Sequence, residues 1–108
     1  MKKYKVYFVT DAEEDLFEIY KYVASSDSKT KAQTLLNKLE QTCKKLSQFP
    51  ERGHYPPELE RIGIFSYKEI HYKPYRIIYQ VIGQNVYIHC ILDGRRDLQQ
   101  ILQERIIR

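Results

Sequence analysis

Arg76 lies inside the apolar run Pro74-Tyr75-Arg76-Ile77-Ile78-Tyr79. Arg95 and Arg96 follow a second apolar run, Val86-Tyr87-Ile88-His89-Cys90-Ile91-Leu92, within Asp93-Gly94-Arg95-Arg96-Asp97. A strand that only packs has little use for a guanidinium between Tyr75 and Ile77. A guanidinium forks onto phosphate or carboxylate in two-point contacts, and a sheet holds such a fork in a fixed orientation. These three arginines therefore point to a charged surface for an anionic partner. The alternative is local pairing with Asp93 or Asp97.

Lys68, Glu69, His71 and Lys73 form a second group, on one stretch of alternating sequence. Strand periodicity puts Glu69 and His71 on one face, where a carboxylate and an imidazole could act as base and acid. A solvated ion pair is the plainer reading of the same spacing. His54 and Tyr55 fall in a proline-rich loop, and His89 falls in a strand. No ligand pair has metal-motif spacing, so no metal and no cofactor are expected. Phosphate-loop, dinucleotide, serine-elbow and zinc-helix motifs are all absent.

Alternation over residues 4 to 10 predicts a first strand. Asp11 with Glu14 predicts a capping box for a helix whose apolar face is Ala12, Leu16, Ile19 and Val23. Ser25-Ser26-Asp27-Ser28 ends it. Ala32, Leu35, Leu36, Leu39, Cys43 and Leu46 make the stripe of a second helix, antiparallel to the first. Residues 50 to 62 read as loop. Strands follow at 63 to 72, 75 to 82 and 86 to 92, and their short connections demand antiparallel neighbours. Asp97 to Ile107 closes the chain as a short helix. The expected fold is α+β: a helix hairpin on a curved antiparallel sheet, in the order β-α-α-β-β-β-α. Val86, Ile88, Cys90 and Leu92 should meet the helices. Tyr87, His89 and Ile91 should oppose them. Arg76 should share a mixed face with Ile78 and Gln80, away from the helices.

The chain has 108 residues, which fits one domain spanning 1–108. Lys and Arg outnumber Asp and Glu by 18 to 14, a balance that allows an acidic protein or a nucleic acid as partner. Cys43 and Cys90 fit buried apolar positions and form no disulfide framework. The start, Met1-Lys2-Lys3-Tyr4, carries no signal-peptide run and no segment is long enough to span a membrane, so a cytoplasmic protein is expected.

The segments Pro50-Glu51-Arg52-Gly53, Pro57-Glu58-Leu59, Ile62-Gly63-Ile64, Tyr67-Lys68-Glu69, Pro74-Tyr75-Arg76-Ile77-Ile78-Tyr79 and Asp93-Gly94-Arg95-Arg96-Asp97 occur in this order. Together they resemble the RelE/ParE family of toxins of type II toxin–antitoxin systems, over nearly the whole chain. The resemblance implies growth inhibition, plasmid stabilisation and a cognate antitoxin with an acidic, partly disordered C-terminal segment. RelE-like members are mRNA endoribonucleases acting on translated mRNA at the ribosome. ParE-like members poison DNA gyrase. In the nuclease branch the resemblance implies Arg76 and Arg95 or Arg96 on the phosphate, with Glu69 and His71 as substitute acid–base residues. In either branch Lys68, Lys73, Arg76, Arg95 and Arg96 would bind target or antitoxin. The nucleases tend to carry a Tyr or His in the C-terminal segment, and residues 97–108 contain neither. The ending Gly94-Arg95-Arg96-Asp97 and the Tyr67-Lys68-Glu69 strand are more similar to the ParE side. A non-toxic antitoxin-binding module is the third alternative.

Overall fold

The computed structural model describes residues 3–106. Its elements are β1 (Lys5–Phe8), α1 (Thr10–Ser26), α2 (Lys29–Lys44), α3 (Pro57–Glu60), β2 (Lys68–Tyr72), β3 (Tyr75–Ile82), β4 (Asn85–Asp93) and α4 (Gln99–Ile106). A single 3₁₀ turn, Lys45–Ser47, extends α2. Ile107, expected from the sequence in the last helix, lies outside the described residues, as do Met1 and Lys2.

α1 buries Ala12 and Leu16 through the four-residue step of its apolar stripe. It does not use the expected capping box. The helix starts at Thr10, Val9 takes the cap position, and no side chain caps it. α2 does have a side-chain cap: Ser28 Oγ accepts from Lys31 N at 3.1 Å. Ala32, Leu39 and Cys43 of α2 are buried, and Leu46 continues the stripe. The hairpin α1–α2 therefore presents one apolar surface to the sheet.

The sheet order is β1-β4-β3-β2. β2–β3 and β3–β4 pair antiparallel as expected. The β3–β4 turn, Gly83-Gln84, places Gly83 at φ +61°, which a glycine accepts without steric cost. Lys73-Pro74 is a cis peptide at the other hairpin. β1 departs from the expected sheet by pairing parallel to β4, so the sheet is mixed. Local turns dictate direction only between sequence neighbours. β1 and β4 are far apart in the chain, so nothing local fixes their sense.

Both faces of the sheet are covered. Ile77, Tyr79, Val86, Ile88 and Ile91 pack with Leu16, Leu39 and Cys43 of the hairpin. Ile78, Cys90 and Leu92 pack with Leu59 of α3 and Leu98 and Leu102 around α4. This corrects the expected faces of β4. The register runs Tyr79↔Ile88 and then Ile78↔Cys90, which leaves His89 as an extra residue. Such a bulge inverts every later side chain. Val86 and Ile88 face the hairpin as expected, whereas Cys90 and Leu92 turn away and Ile91 takes their place. Strict period-two counting cannot see an insertion that pairing creates.

Cys43 and Cys90 are both buried and free, on opposite faces of the sheet. Burial pushes their thiols up to about 12 and about 11, which removes the reactive thiolate near neutrality.

Candidate functional site

β2 and β3 set the geometry around Arg76. His71 pairs with Arg76 and Glu69 with Ile78, so Glu69 and Arg76 emerge on one face. α3 supplies the remaining member. Pro57 starts this short helix, and Leu59, fully buried, anchors it in the second core. Glu58 is thereby held over the sheet. Arg76 Nη1 and Nη2 donate to Glu58 Oε2 and Oε1, both at 2.6 Å. Its Nε donates to Glu69 Oε2 at 2.9 Å, and Nη2 also donates to Glu69 Oε1 at 2.5 Å. His71 Nε2 is in direct contact with Glu69 Oε2.

This corrects the expected role of Arg76 as an open anion site. It does share its face with Ile78, but that face is a second core, and the Arg76 side chain is only 14% exposed. Its fork is occupied by two carboxylates. The Arg76 guanidinium holds the Glu58 carboxyl below the usual carboxylate range, against the opposing effect of burial. The two carboxylates in turn raise Arg76 further above its ordinary value. An approaching phosphate would meet Glu58 and Glu69 before it met an unpaired guanidinium, and repulsion at contact distance is large in a partly dry site. For Arg76 the alternative pairing with Asp93 or Asp97 does not form, whereas Arg95 does pair with Asp93. The partners of Arg76 are Glu58 and Glu69.

Two glycines let the chain close around this cluster. A Cβ on Gly94 would lie 2.9 Å from Arg76 Cγ and 3.0 Å from Pro74 O, so the backbone there lies directly on the arginine stem. A Cβ on Gly53 would lie 2.6 Å from the Tyr79 hydroxyl and 2.7 Å from Glu69 O. That hydroxyl, fully buried, donates to Pro50 O at 2.7 Å and accepts from Gly53 N at 3.1 Å. Gly53→Ala is therefore expected to overpack the loop against β2 and lower stability by about 1–3 kcal/mol. Urea denaturation followed by circular dichroism measures it, and a loss of under about 0.5 kcal/mol would show that the loop gives way freely.

A second buried ion pair went unseen in the sequence. Asp15 of α1 accepts from Arg105 Nη1 and Nη2, both at 2.7 Å, and from Ile91 N at 2.9 Å. β1 pairs with β4 only as far as Phe8↔Ile88. Past that point Asp15 takes up the Ile91 N–H, a backbone donor that would be costly to bury unpaired. A carboxylate among the apolar positions of α1 was the available signal. Its partner, 90 residues away, was not legible.

The remaining expected residues are scattered. Lys68 Nζ lies 3.5 Å from Glu51 and 5.0 Å from the Tyr55 ring centre. Lys73 is exposed at the β2–β3 turn. The two lysines are five residue steps apart, roughly 16 Å along extended chain, so they do not form one patch. Arg95 chelates Asp93 through Nε at 3.0 Å and Nη2 at 2.6 Å, and the pair holds Asp93 down to about 2. This exposed pair contributes little to stability. Arg96 is exposed beside it. Both arginines line a groove of about 610 Å³ together with Tyr22, Tyr75, Asp93 and Arg105. Arg76 is not part of that lining, so the structure separates it from the double arginine. His89, the bulge residue, is half-buried as expected. It lies 3.3 Å from Gln80 Oε1 and edge-on to Tyr67, and burial lowers its tendency to protonate.

Among the described residues no helix is long and apolar enough to cross a membrane. The profile of a family described as ParE toxin of type II toxin-antitoxin system, parDE, matches residues 6–98. The chain is 32% identical over 84 residues to Toxin ParE3 of Caulobacter vibrioides, an alignment covering 78% of this chain and 80% of that protein. Its fold is similar to a chain of the chromosomal ParDE system from P. aeruginosa, with a TM-score of 0.70 and 18% identity. That match covers 84% of this chain and 96% of the other.

Proposed function

Because the chain belongs to the ParE toxin family of type II toxin–antitoxin systems, we propose that it acts by binding: it poisons DNA gyrase in the cytoplasm and is neutralised by a cognate antitoxin. The observation that carries this reading is the occupied fork of Arg76. A nuclease of the RelE type needs that arginine on the scissile phosphate, and in this chain Glu58 and Glu69 take up Nε, Nη1 and Nη2. With no unpaired guanidinium at that place, the transition-state stabilisation on which phosphoryl chemistry depends is missing. The Glu69–His71 pair is likewise tied to Arg76 rather than poised over an open cleft. The C-terminal segment offers no Tyr or His to replace them.

The binding surface we assign is the groove at the β4 exit, where Arg95 and Arg96 stand beside Tyr22 and Tyr75. Tyrosines give broad contact area and arginines give two-point recognition of carboxylates, the pairing that interface cores favour. The lining also holds Asp15, Glu18, Asp93 and Glu104, so the partner surface that fits is one of mixed charge, an antitoxin segment or a patch of the target whose carboxylates reach the exposed Arg96, or Arg95 in exchange for Asp93.

Purified toxin is expected to inhibit gyrase supercoiling, and added antitoxin to restore it. Arg95→Ala with Arg96→Ala is expected to weaken inhibition roughly tenfold or more, the loss of one or two charge-assisted contacts. The fold should be unmoved, within about 0.5 kcal/mol. Full supercoiling at excess wild-type toxin, with cleavage of translated mRNA instead, would return the nuclease reading. No growth effect on expression without antitoxin would favour the non-toxic binding module.

A further inference from the structure

We propose that His54, Glu69 and His71 form a binding site for a divalent transition-metal ion of the zinc class. No motif spacing announced it, and from the sequence alone no metal is expected. His54 comes from the loop after α2, whereas Glu69 and His71 lie two apart on β2. The fold brings one ligand atom of each to within 4.8 Å of the others. The two imidazole rings stand 5.3 Å apart, edge to face.

The site is built on backbone pairing. His54 N donates to Glu69 O at 3.1 Å, and Glu69 N donates to His54 O at 2.7 Å. This bridge fixes the loop histidine to the strand that carries the other two ligands. The ring of His54 is also oriented. Its Nδ1 lies 3.1 Å from Tyr55 O, so a proton there leaves the Nε2 lone pair free for an ion. Glu69 is held by Arg76 through both oxygens, Nη2 on Oε1 and Nε on Oε2 at 2.9 Å, and Oε2, which has a second lone pair, also lies against His71 Nε2. An ion would take the place of the direct contact between Glu69 Oε2 and His71 Nε2. The two atoms need only part to roughly 3.3 Å, as tetrahedral zinc at about 2.0–2.1 Å from each requires. Two imidazoles and one carboxylate suit zinc and its neighbours rather than calcium or magnesium, which prefer all-oxygen shells. With His54 and His71 exposed, water has access to the ion's remaining position.

The physical consequence is a staple between the 50–54 loop and β2, beside the Arg76 cluster. Isothermal titration calorimetry of the metal-free, untagged full chain with zinc chloride tests it. One equivalent should bind, and zinc should raise the thermal midpoint followed by circular dichroism. His54→Ala, which removes an exposed ring, should weaken binding at least roughly tenfold and abolish the thermal shift. His71→Gln should do the same, while His89→Gln leaves both unchanged. Absence of saturable uptake by the wild-type chain, or undiminished uptake by His54→Ala, overturns the assignment.

Discussion

Arg76→Ala is expected to cost the folded chain about 3–5 kcal/mol at neutral pH, the penalty for leaving buried carboxylates without their counter-charge. Glu69 is 2% exposed and Glu58 13%, so water cannot take the guanidinium's place. A domain of this size has only about 5–15 kcal/mol of stability in all, so the variant loses a large fraction of it. The sign with pH follows from Glu58. Its carboxyl is lowered by Arg76 in the folded chain. The stability it contributes is therefore full above the unfolded carboxylate value near about 4.3 and is lost as pH falls through the lowered folded value. In the variant, proton uptake relieves Glu58 of its uncompensated charge. The gap between wild type and Arg76→Ala should thus be widest near neutrality and close below about pH 4. Urea denaturation at several pH values measures both. Triple replacement by Arg76→Met, Glu58→Gln and Glu69→Gln should recover much of the loss, since no charge then stays buried. A phosphate-clamping arginine would behave otherwise: Arg76→Ala would fold like wild type and lose only activity. Destabilisation of less than about 1 kcal/mol would rule out a structural role for Arg76.

Asp15→Ala should match that loss, at about 3–5 kcal/mol, by a different route. It removes the carboxylate that both Arg105 Nη atoms hold and orphans the Ile91 N–H just past the β4 bulge. The damage should concentrate at the C-terminus. α4 is short; Leu102 anchors it in the second core, and the Asp15–Arg105 ion pair ties it to the hairpin. Hydrogen exchange of the amides of 99–106 should accelerate before the β3–β4 ladder is affected, because local opening needs only the local contacts to break. Arg105→Ala should cost about the same as Asp15→Ala, and the double replacement should fall short of the sum by a coupling of about 1–3 kcal/mol. Additive losses would mean that the two side chains act independently. α4 also borders the groove that holds Arg95 and Arg96, so its release should loosen the proposed binding surface without touching either arginine.

The helices were legible in the sequence because each buries a stripe of its own residues: Ala12 and Leu16 in α1, Ala32, Leu39 and Cys43 in α2. The hairpins were legible because turn chemistry lies between adjacent strands, as at Gly83. Burial of both cysteines followed from the same patterns. The face of Val86 and Ile88 was legible up to the bulge at His89, and no further. Short-range order along the chain determined the two long helices, the last helix, the strand succession and the α+β class, and the ordered motifs determined the family resemblance; it missed α3, Pro57–Glu60, inside the stretch read as loop, and began the second strand at 63 where β2 starts at Lys68.

Tertiary structure alone decided what the charges do. Arg76 looked open because its sequence neighbours are apolar, yet its partners come from α3, 18 residues back, and from β2. Asp15 finds Arg105 across 90 residues. His54 reaches Glu69 and His71 only because a loop pairs its backbone with β2. The parallel sense of β1 was settled in the same way. Periodicity records how each segment meets apolar surroundings. A charge is compensated by whatever lies within a few ångströms, and that neighbour is chosen by packing, not by position in the chain.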